Sequence, residues 1–368
     1  MQKLLVIGAG AIGRGYLPWV FDPSKYVIDF VDANSNLVSS LSVAGHYHTY
    51  RTRDGRYDEL RVSINKIYHV NQLTQSILDE YDFILTAVGP RNFLKLTNLF
   101  TKSNVPVVAF ENQRDVVTSM RIATGREDIY FGIPDVITSS TASSTLLAKD
   151  RNAIITEDGK TYIENGARDL GGDLLYCDEL EIRKQWAAKL YIHNSPHCIA
   201  AYLGHLCKAS YLHESMEWPA SRNVVIGATQ EMSQMVINTY GVDAEFAKYY
   251  ADKEISRFSN KLLFDPISRV AREPFRKLGL NDRLIGATRK AYVGNVHPTN
   301  MLLGIMSAFL FNKPDDADAI ISFLFRTLSP EQFLGSIIRL NQGDVIFDSL
   351  IHSWDANLLS LKEIMNDV

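Results

Sequence analysis

Six residues near the N-terminus, Gly8-Ala9-Gly10-Ala11-Ile12-Gly13, restrict this chain more than any other stretch. They follow a short apolar run that reads as a strand (residues 3–7) and they open a helical pattern. In that context a GxGxxG sequence becomes a dinucleotide-binding turn. The first glycine permits a tight turn, the second lets backbone approach a pyrophosphate, and the third lets the helix pack closely on the strand. The helix N-terminus then offers unpaired N–H groups to phosphate. Gly8, Gly10, Ala11, Ile12 and Gly13 are therefore cofactor-binding candidates. A second apolar run (residues 27–31) ends at Asp32, about 20 residues after the last glycine, where a carboxylate can accept hydrogen bonds from the adenosine ribose. A 2′-phosphate beside Asp32 would meet like charge, so NAD is favoured over NADP.

The rest of the first half keeps alternating short apolar runs with helical patterns, as a parallel sheet covered by helices requires. Further candidate strands are residues 83–87, 105–110 and 130–133. The fold class expected is an α/β N-terminal Rossmann domain, mostly parallel and doubly wound, followed by an all-α domain. Residues 47–62 alternate in polarity around Asp54-Gly55 and predict an inserted hairpin, read here as a decoration outside the site. Thr86-Ala87-Val88-Gly89-Pro90 ends one strand at the edge where doubly wound sheets hold their ligands; a simple strand exit is the alternative. Glu111-Asn112 follows the next strand in the same way. Thr86, Ala87, Val88 and Asn112 join the cofactor candidates.

From about Glu181 glycine and proline become sparse and apolar residues recur at helical spacing, as in Ile199, Leu203, Leu206 and in Val224, Met232, Met235, Val236. The domain boundary is placed near Asp178, giving a Rossmann domain over 1–178 and a helical substrate domain over 179–368. At 368 residues the chain exceeds one ordinary core. A net charge of −4 shows none of the basic excess of a nucleic-acid binder. Three cysteines without a CxxC pair suggest neither a disulfide framework nor a zinc knuckle. The N-terminal apolar run ends at once in glycines and lacks a cleavage site, and no later run is long enough for a bilayer. The expectation is a soluble, cytoplasmic protein, monomeric or homodimeric, with a small-molecule substrate and neither nucleic acid nor membrane as partner.

Hydride transfer from an alcohol needs a group to take the hydroxyl proton and donors to hold the developing alkoxide. The informative stretch is Lys189-Leu190-Tyr191-Ile192-His193-Asn194-Ser195-Pro196-His197. A lysine in partly apolar surroundings can serve as a base because burial disfavours its ammonium. Pro196 predicts a helix break, with Asn194 and His197 flanking it. On spacing alone Lys189 could equally be a surface residue and His197 a structural histidine. His193 and His197 form an HxxxH pair with no third ligand nearby, so no metal is expected.

Lys189, Asn194 and His197 form a Lys-x4-Asn-x2-His pattern that resembles the signature of the polyol-specific long-chain dehydrogenases, the mannitol dehydrogenase family. GAGAIGRGY, TAVGP, FENQRD, KLYIHNSPHCIAAYLG and RFSNKLLFDPISRVAREPFRKLGLNDRLI are similar to that family in the same order and spread over most of the chain. The resemblance implies that Lys189 is the general base and that Asn194 and His197 hydrogen-bond the substrate oxygen, without a metal. It also implies NAD-dependent, reversible oxidation of a secondary alcohol of a hexitol phosphate to a ketose phosphate, the chain's comparatively short length resembling the phosphate-specific branch. Two departures stand out. Val136-Ile137-Thr138-Ser139 replaces a Val-Asp-Arg-Ile-like segment, which bears on the identity of the polyol, and Ser195-Pro196 replaces Thr-Gly between Asn194 and His197.

Arg269, Arg272, Arg276, Lys277 and Arg283 make a basic cluster that could bind a substrate phosphate, since arginine forks match phosphate oxygens. Pairing with Asp265, Glu273 and Asp282 on a solvated face is the bland alternative. The family's Arg-Lys-Leu stretch matches at Arg276 and Lys277, which are preferred as substrate residues, with His297 and Asn300 closing the pocket. Arg14 could reach either phosphate or remain a surface charge. Two rival readings are a 2-keto acid reductase of the ketopantoate type, disfavoured by Asp32 because those enzymes generally use NADPH, and a non-catalytic NAD-sensing regulator.

Overall fold

A computed structural model describes residues 1–139, 141–313 and 317–366. The chain divides into two units, one of Met1–Gln185 with Leu262–Phe264, the other of Trp186–Lys261 with Asp265–Val368. The division falls later than the expected position near Asp178. Glu179, in the first turn of helix Glu179–Ala187, is tied to the first unit by a 2.6 Å ion pair with Arg114. The short return segment is held there by Tyr57, whose hydroxyl donates to the Leu262 carbonyl at 2.6 Å, and by Ser139, which donates to the Phe264 carbonyl at 2.8 Å.

The first unit contains β1 (Gln2–Ile7), β2 (Tyr26–Asp32), β3 (His46–Arg53), β4 (Arg56–Ser63), β5 (Ile67–His69) and β6 (Phe83–Thr86). It continues with β7 (Val107–Ala109), β8 (Ile129–Asp135), β9 (Ile154–Glu157), β10 (Lys160–Glu164) and β11 (Leu175–Cys177). Eight of these form one sheet in the order β11-β10-β8-β7-β6-β1-β2-β5, parallel except where β10 runs against β8. Central β1 is apolar on both faces, with Leu4, Leu5 and Val6 fully buried, as a parallel strand covered on both sides must be. The chain leaves β1 toward β2 and β5, then returns on its other side as β6, β7 and β8. This reversal brings the exits of β1 and β6 together, with the Ala87 amide donating to the Ile7 carbonyl at 2.9 Å. Doubly wound sheets bind ligands at such a switch point.

The expected hairpin is present as β3 and β4, turning through Asp54 and Gly55, both at positive φ. It is not a decoration. β3 also pairs with β9, and its side chains hold the fingerprint helix, Ala11–Tyr16, in place. Tyr47, fully buried, donates to the Arg14 carbonyl at 2.8 Å, and Thr49 donates to the next carbonyl, that of Gly15, at 2.6 Å. Polarity alternation shows that such a strand exists but not what its inward face supports.

In the second unit the named elements are all helical, the longest being Pro219–Tyr240 and Val345–Asn366. Phe309, Phe325, Phe333 and Trp354 pack ring on ring at one end of its core. Among the described residues no helix is long and apolar enough to cross a membrane.

Candidate active site

The fingerprint has the geometry its glycines predict. Gly8 adopts φ +103°, and a Cβ there would lie 2.5 Å from the Ala87 carbonyl oxygen. A Cβ on Gly13 would lie 1.8 Å from the Gly8 oxygen, so the third glycine is required for the helix to close on the strand. Gly10 faces open space instead, which is the side a pyrophosphate must approach. Ala11 and Ile12 are half-buried at the start of the helix. Asp32 braces the turn: one carboxylate oxygen accepts from the Ala9 amide at 2.9 Å, the other from the Asn34 amide at 2.8 Å. Each oxygen keeps a further lone pair for a hydroxyl donor. The residues present therefore fit a dinucleotide.

Across the switch point, Thr86 is fully buried and donates its hydroxyl to Glu111 at 3.0 Å, so that side chain serves the sheet. Glu111 is 2% exposed and also accepts from the Val88 amide at 3.0 Å and the Gly89 amide at 2.7 Å. Burial pushes its carboxyl above the usual range, and the three donors oppose the shift. Glu111 thus pins the Ala87–Gly89 backbone from below, a role the strand pattern did not reveal. Ala87 and Val88 are half-buried and Asn112 is exposed. Arg14 is no surface charge. It is 8% exposed and donates to the Asn152 carbonyl at 2.6 Å, and burial, resisted by Tyr47 and Asp150, lowers its pKa.

The second unit holds the proposed catalytic residues. The expected break at Pro196 is absent. Ala188–His193 is a π-helical turn that runs directly into helix Asn194–Leu206. A π turn accommodates a proline inside a helix because its hydrogen bonds reach one residue further. The Asn194 amide donates to the Lys189 carbonyl, and the Ser195 hydroxyl to the Leu190 carbonyl at 3.3 Å. The wide turn places Lys189, Asn194 and His197 on neighbouring turns, 5%, 6% and 9% exposed. Lys189 is thus no surface residue. The Asn194 side-chain nitrogen is buried without a hydrogen-bond partner among the described residues, a costly state for a donor unless a ligand oxygen meets it.

His197 is oriented by Asp265, whose carboxylate lies 3.0 Å from Nε2 and accepts from the Arg269 guanidinium on its other oxygen at 2.6 Å. Burial lowers the His197 pKa and the Asp265 charge only partly offsets it, so the ring is neutral at neutral pH. His193 pairs with fully buried Glu254, and burial together with the Lys189 charge pushes it down to about 3. Among the described residues no group of three or more His, Cys, Asp or Glu side chains is placed to hold a metal ion.

The basic cluster is largely committed to internal pairs. Arg276 bonds Glu273 at 3.1 Å and Asp282 at 3.0 Å, and Arg283 bonds Asp282 at 2.9 Å. Lys277 is 4% exposed, its ammonium donates to the Val270 and Arg272 carbonyls, and burial pushes its pKa down to about 7. Lys277 therefore points into the protein and does not join Arg276 in an open cradle. Asn300 also has a partner inside the fold. With the Met301 amide it donates to Glu231, which caps helix Thr299–Phe309 from outside. His297 is exposed.

Family models match both units: the mannitol dehydrogenase Rossmann domain over residues 2–113 and the mannitol dehydrogenase C-terminal domain over 181–322. The chain is 26% identical to a mannitol-1-phosphate 5-dehydrogenase of Exiguobacterium sp., covering 96% of this chain and 97% of the relative. It is 28% identical to the enzyme of the same description from Thermoanaerobacter pseudethanolicus, with the same coverage of 96% and 97%. Among solved structures, Pseudomonas fluorescens mannitol 2-dehydrogenase in ternary complex with NAD and D-mannitol superposes with a TM-score of 0.76 at 13% identity, over 99% of this chain and 94% of that one.

Proposed function

The chain belongs to the mannitol dehydrogenase family, and from that premise we propose that it oxidises a secondary alcohol of a hexitol phosphate to the ketose phosphate, reversibly and with NAD. The choice of mannitol 1-phosphate follows what its relatives are called, and oxidation of that hexitol phosphate at its C5 hydroxyl gives fructose 6-phosphate. Bound NAD would supply the hydride acceptor, held by the Gly8–Gly13 turn and by Asp32.

The protein's own part is proton handling. Lys189 takes the hydroxyl proton of the alcohol, and the same proton returns to the oxygen when the ketose is reduced. Asn194 Nδ2 donates to that oxygen as it gains charge, where a preorganised donor is worth most. A neutral His197 with its proton on Nε2, toward Asp265, presents Nδ1 as an acceptor that orients the substrate hydroxyl before reaction. The observation that carries this reading is the buried Asn194 Nδ2, without a hydrogen-bond partner among the described residues, on the turn after buried Lys189.

The test is NADH consumption over ketose phosphates, free ketoses and keto-uronates. Fructose 6-phosphate should be reduced, and Lys189→Ala should lose at least about a hundredfold in kcat, the contribution usual for a positioned base. Activity confined to unphosphorylated sugars would remove the phosphate from the reading, and near-normal turnover by Lys189→Ala would remove the lysine.

A further inference from the structure

The segment that follows the cofactor turn is wound more widely than an α-helix. Ala11–Tyr16 is a π turn, closed where the Leu17 amide donates to the Ile12 carbonyl five residues back. Pro18 comes next, so the Arg14 carbonyl, which an α-helical turn would pair with residue 18, meets a residue that has no N–H. The inserted sheet offers a donor there. Tyr47 on β3, fully buried, gives its hydroxyl hydrogen to the Arg14 carbonyl at 2.8 Å. Two residues along the same face of β3, buried Thr49 donates to the Gly15 carbonyl at 2.6 Å and accepts from Trp19 Nε1 at 3.1 Å, which fixes its hydroxyl from both sides.

The sheet grips the turn at neighbouring points as well. The Arg14 guanidinium donates to the Asn152 carbonyl at 2.6 Å, just ahead of β9, and the Tyr16 hydroxyl donates to the Gly159 carbonyl at 3.0 Å, just past it. Between them a Cβ on Gly15 would stand 3.3 Å from the Ile154 side chain of β9, so the backbone lies close against that strand. If the wide turn rewound to the commoner α geometry, the extra residue it accommodates would have to be taken up upstream. Upstream lies the Gly10–Gly13 backbone, clamped at Gly13 and open at Gly10.

We propose that Tyr47 and Thr49 are positioning residues for the coenzyme: by holding the Arg14 and Gly15 carbonyls they keep the turn wide, and so fix the Gly10–Gly13 backbone that meets the pyrophosphate. The inserted sheet is then a working part of the cofactor site, acting through two hydroxyls that never touch the ligand. The proposal rests on the reading of Gly8–Gly13 as the dinucleotide turn.

The test compares ADP with adenosine as displacers of NADH fluorescence from the full-length protein, because only ADP carries the pyrophosphate. Tyr47→Phe keeps the buried ring and removes one hydroxyl. Thr49→Val removes the other, and Thr49→Ser restores it. Well below each variant's melting temperature, the dissociation constants of NADH and ADP should rise about tenfold in Tyr47→Phe and in Thr49→Val, the order expected for one lost buried hydrogen bond. That of adenosine should hold, and Thr49→Ser should bind ADP close to wild type. Hydroxyls that merely support the fold would lower the melting temperature and leave ADP affinity unchanged, or weaken ADP and adenosine alike; either result overturns the proposal, as does a Thr49→Ser no better than Thr49→Val. A wild-type protein that showed this ADP pattern but turned over no polyol phosphate would end the functional reading and leave this one standing, whereas a wild-type protein that bound no NADH would end both.

Discussion

The Nε2 atom of His197 lies 3.0 Å from a carboxylate oxygen of Asp265, and the other oxygen of that carboxylate holds the Arg269 guanidinium at 2.6 Å. Burial alone would raise the Asp265 pKa, but Arg269 and His197 outweigh it, so the carboxylate stays charged and His197 keeps its proton on Nε2. Tautomer, not charge, is then what Asp265 supplies to the site.

Asp265→Asn tests that relationship. The amide can turn its NH2 toward Nε2, which moves the imidazole proton to Nδ1 and converts the inward-facing acceptor into a donor. We expect kcat to fall about tenfold to a hundredfold in steady-state assays, within the range general acid–base groups contribute. A variant with wild-type kcat and only a lowered melting temperature would show that His197 orientation does not depend on this bond.

Stability should decline with acid through His193. Its folded pKa of about 3 lies below the ordinary 6.5, so the unfolded chain takes up a proton below pH 6.5 that the folded protein refuses. The contribution is complete above pH 6.5 and is lost as pH falls toward 3, by at most about 1.4 kcal/mol per pH unit. His197, whose pKa is also lowered by burial, adds to the same trend. Urea unfolding at several pH values between 7.5 and 5 should show the slope, and His193→Gln should flatten it; equal slopes in the two proteins would contradict the assignment.

Glu111→Gln probes the loop beside the cofactor turn. Glutamine presents an NH2 to one of three donors that now share the carboxylate, the Thr86 hydroxyl and the Val88 and Gly89 amides. A buried donor left unpaired costs about 1–3 kcal/mol. Part of that should appear as weaker NADH binding in a fluorescence titration, with the KM for the sugar nearly unchanged. Unaltered NADH affinity would mean that the Ala87–Gly89 backbone does not shape the cofactor site.

How far these features could be read in the sequence depended on whether their physics is local. The β1 turn was legible because Gly8, Gly13 and Asp32 do separate jobs at fixed spacing, and the hairpin because polarity alternates around Asp54-Gly55. The Pro196 break was misjudged because a π turn absorbs a proline by closing its hydrogen bonds over one more residue, which no residue pattern announces. Glu254 and Asp265 went unrecognised as partners of His193 and His197 because they lie 61 and 68 residues away, a pairing decided by helix packing. Lys277 and Asn300 matched substrate roles by residue type, yet each found carbonyl or carboxylate partners inside the fold.

The proposed preference for NAD rests on Asp32, and its substitution separates two effects that usually travel together. The carboxylate repels a 2′-phosphate, and it also accepts from the Ala9 amide that shapes the turn. Asp32→Ser removes the repulsion while a hydroxyl can still accept from ribose or backbone. Affinity for NADH should drop, by about 1–2 kcal/mol for loss of charge-assisted bonds, whereas affinity for NADPH should hold or rise. The ratio of kcat/KM values for the two cofactors should therefore shift at least about tenfold toward NADPH, the equivalent of about 1.4 kcal/mol. A uniform loss for both cofactors would assign Asp32 to the turn alone, and an unmodified enzyme that already prefers NADPH would remove the electrostatic argument for NAD.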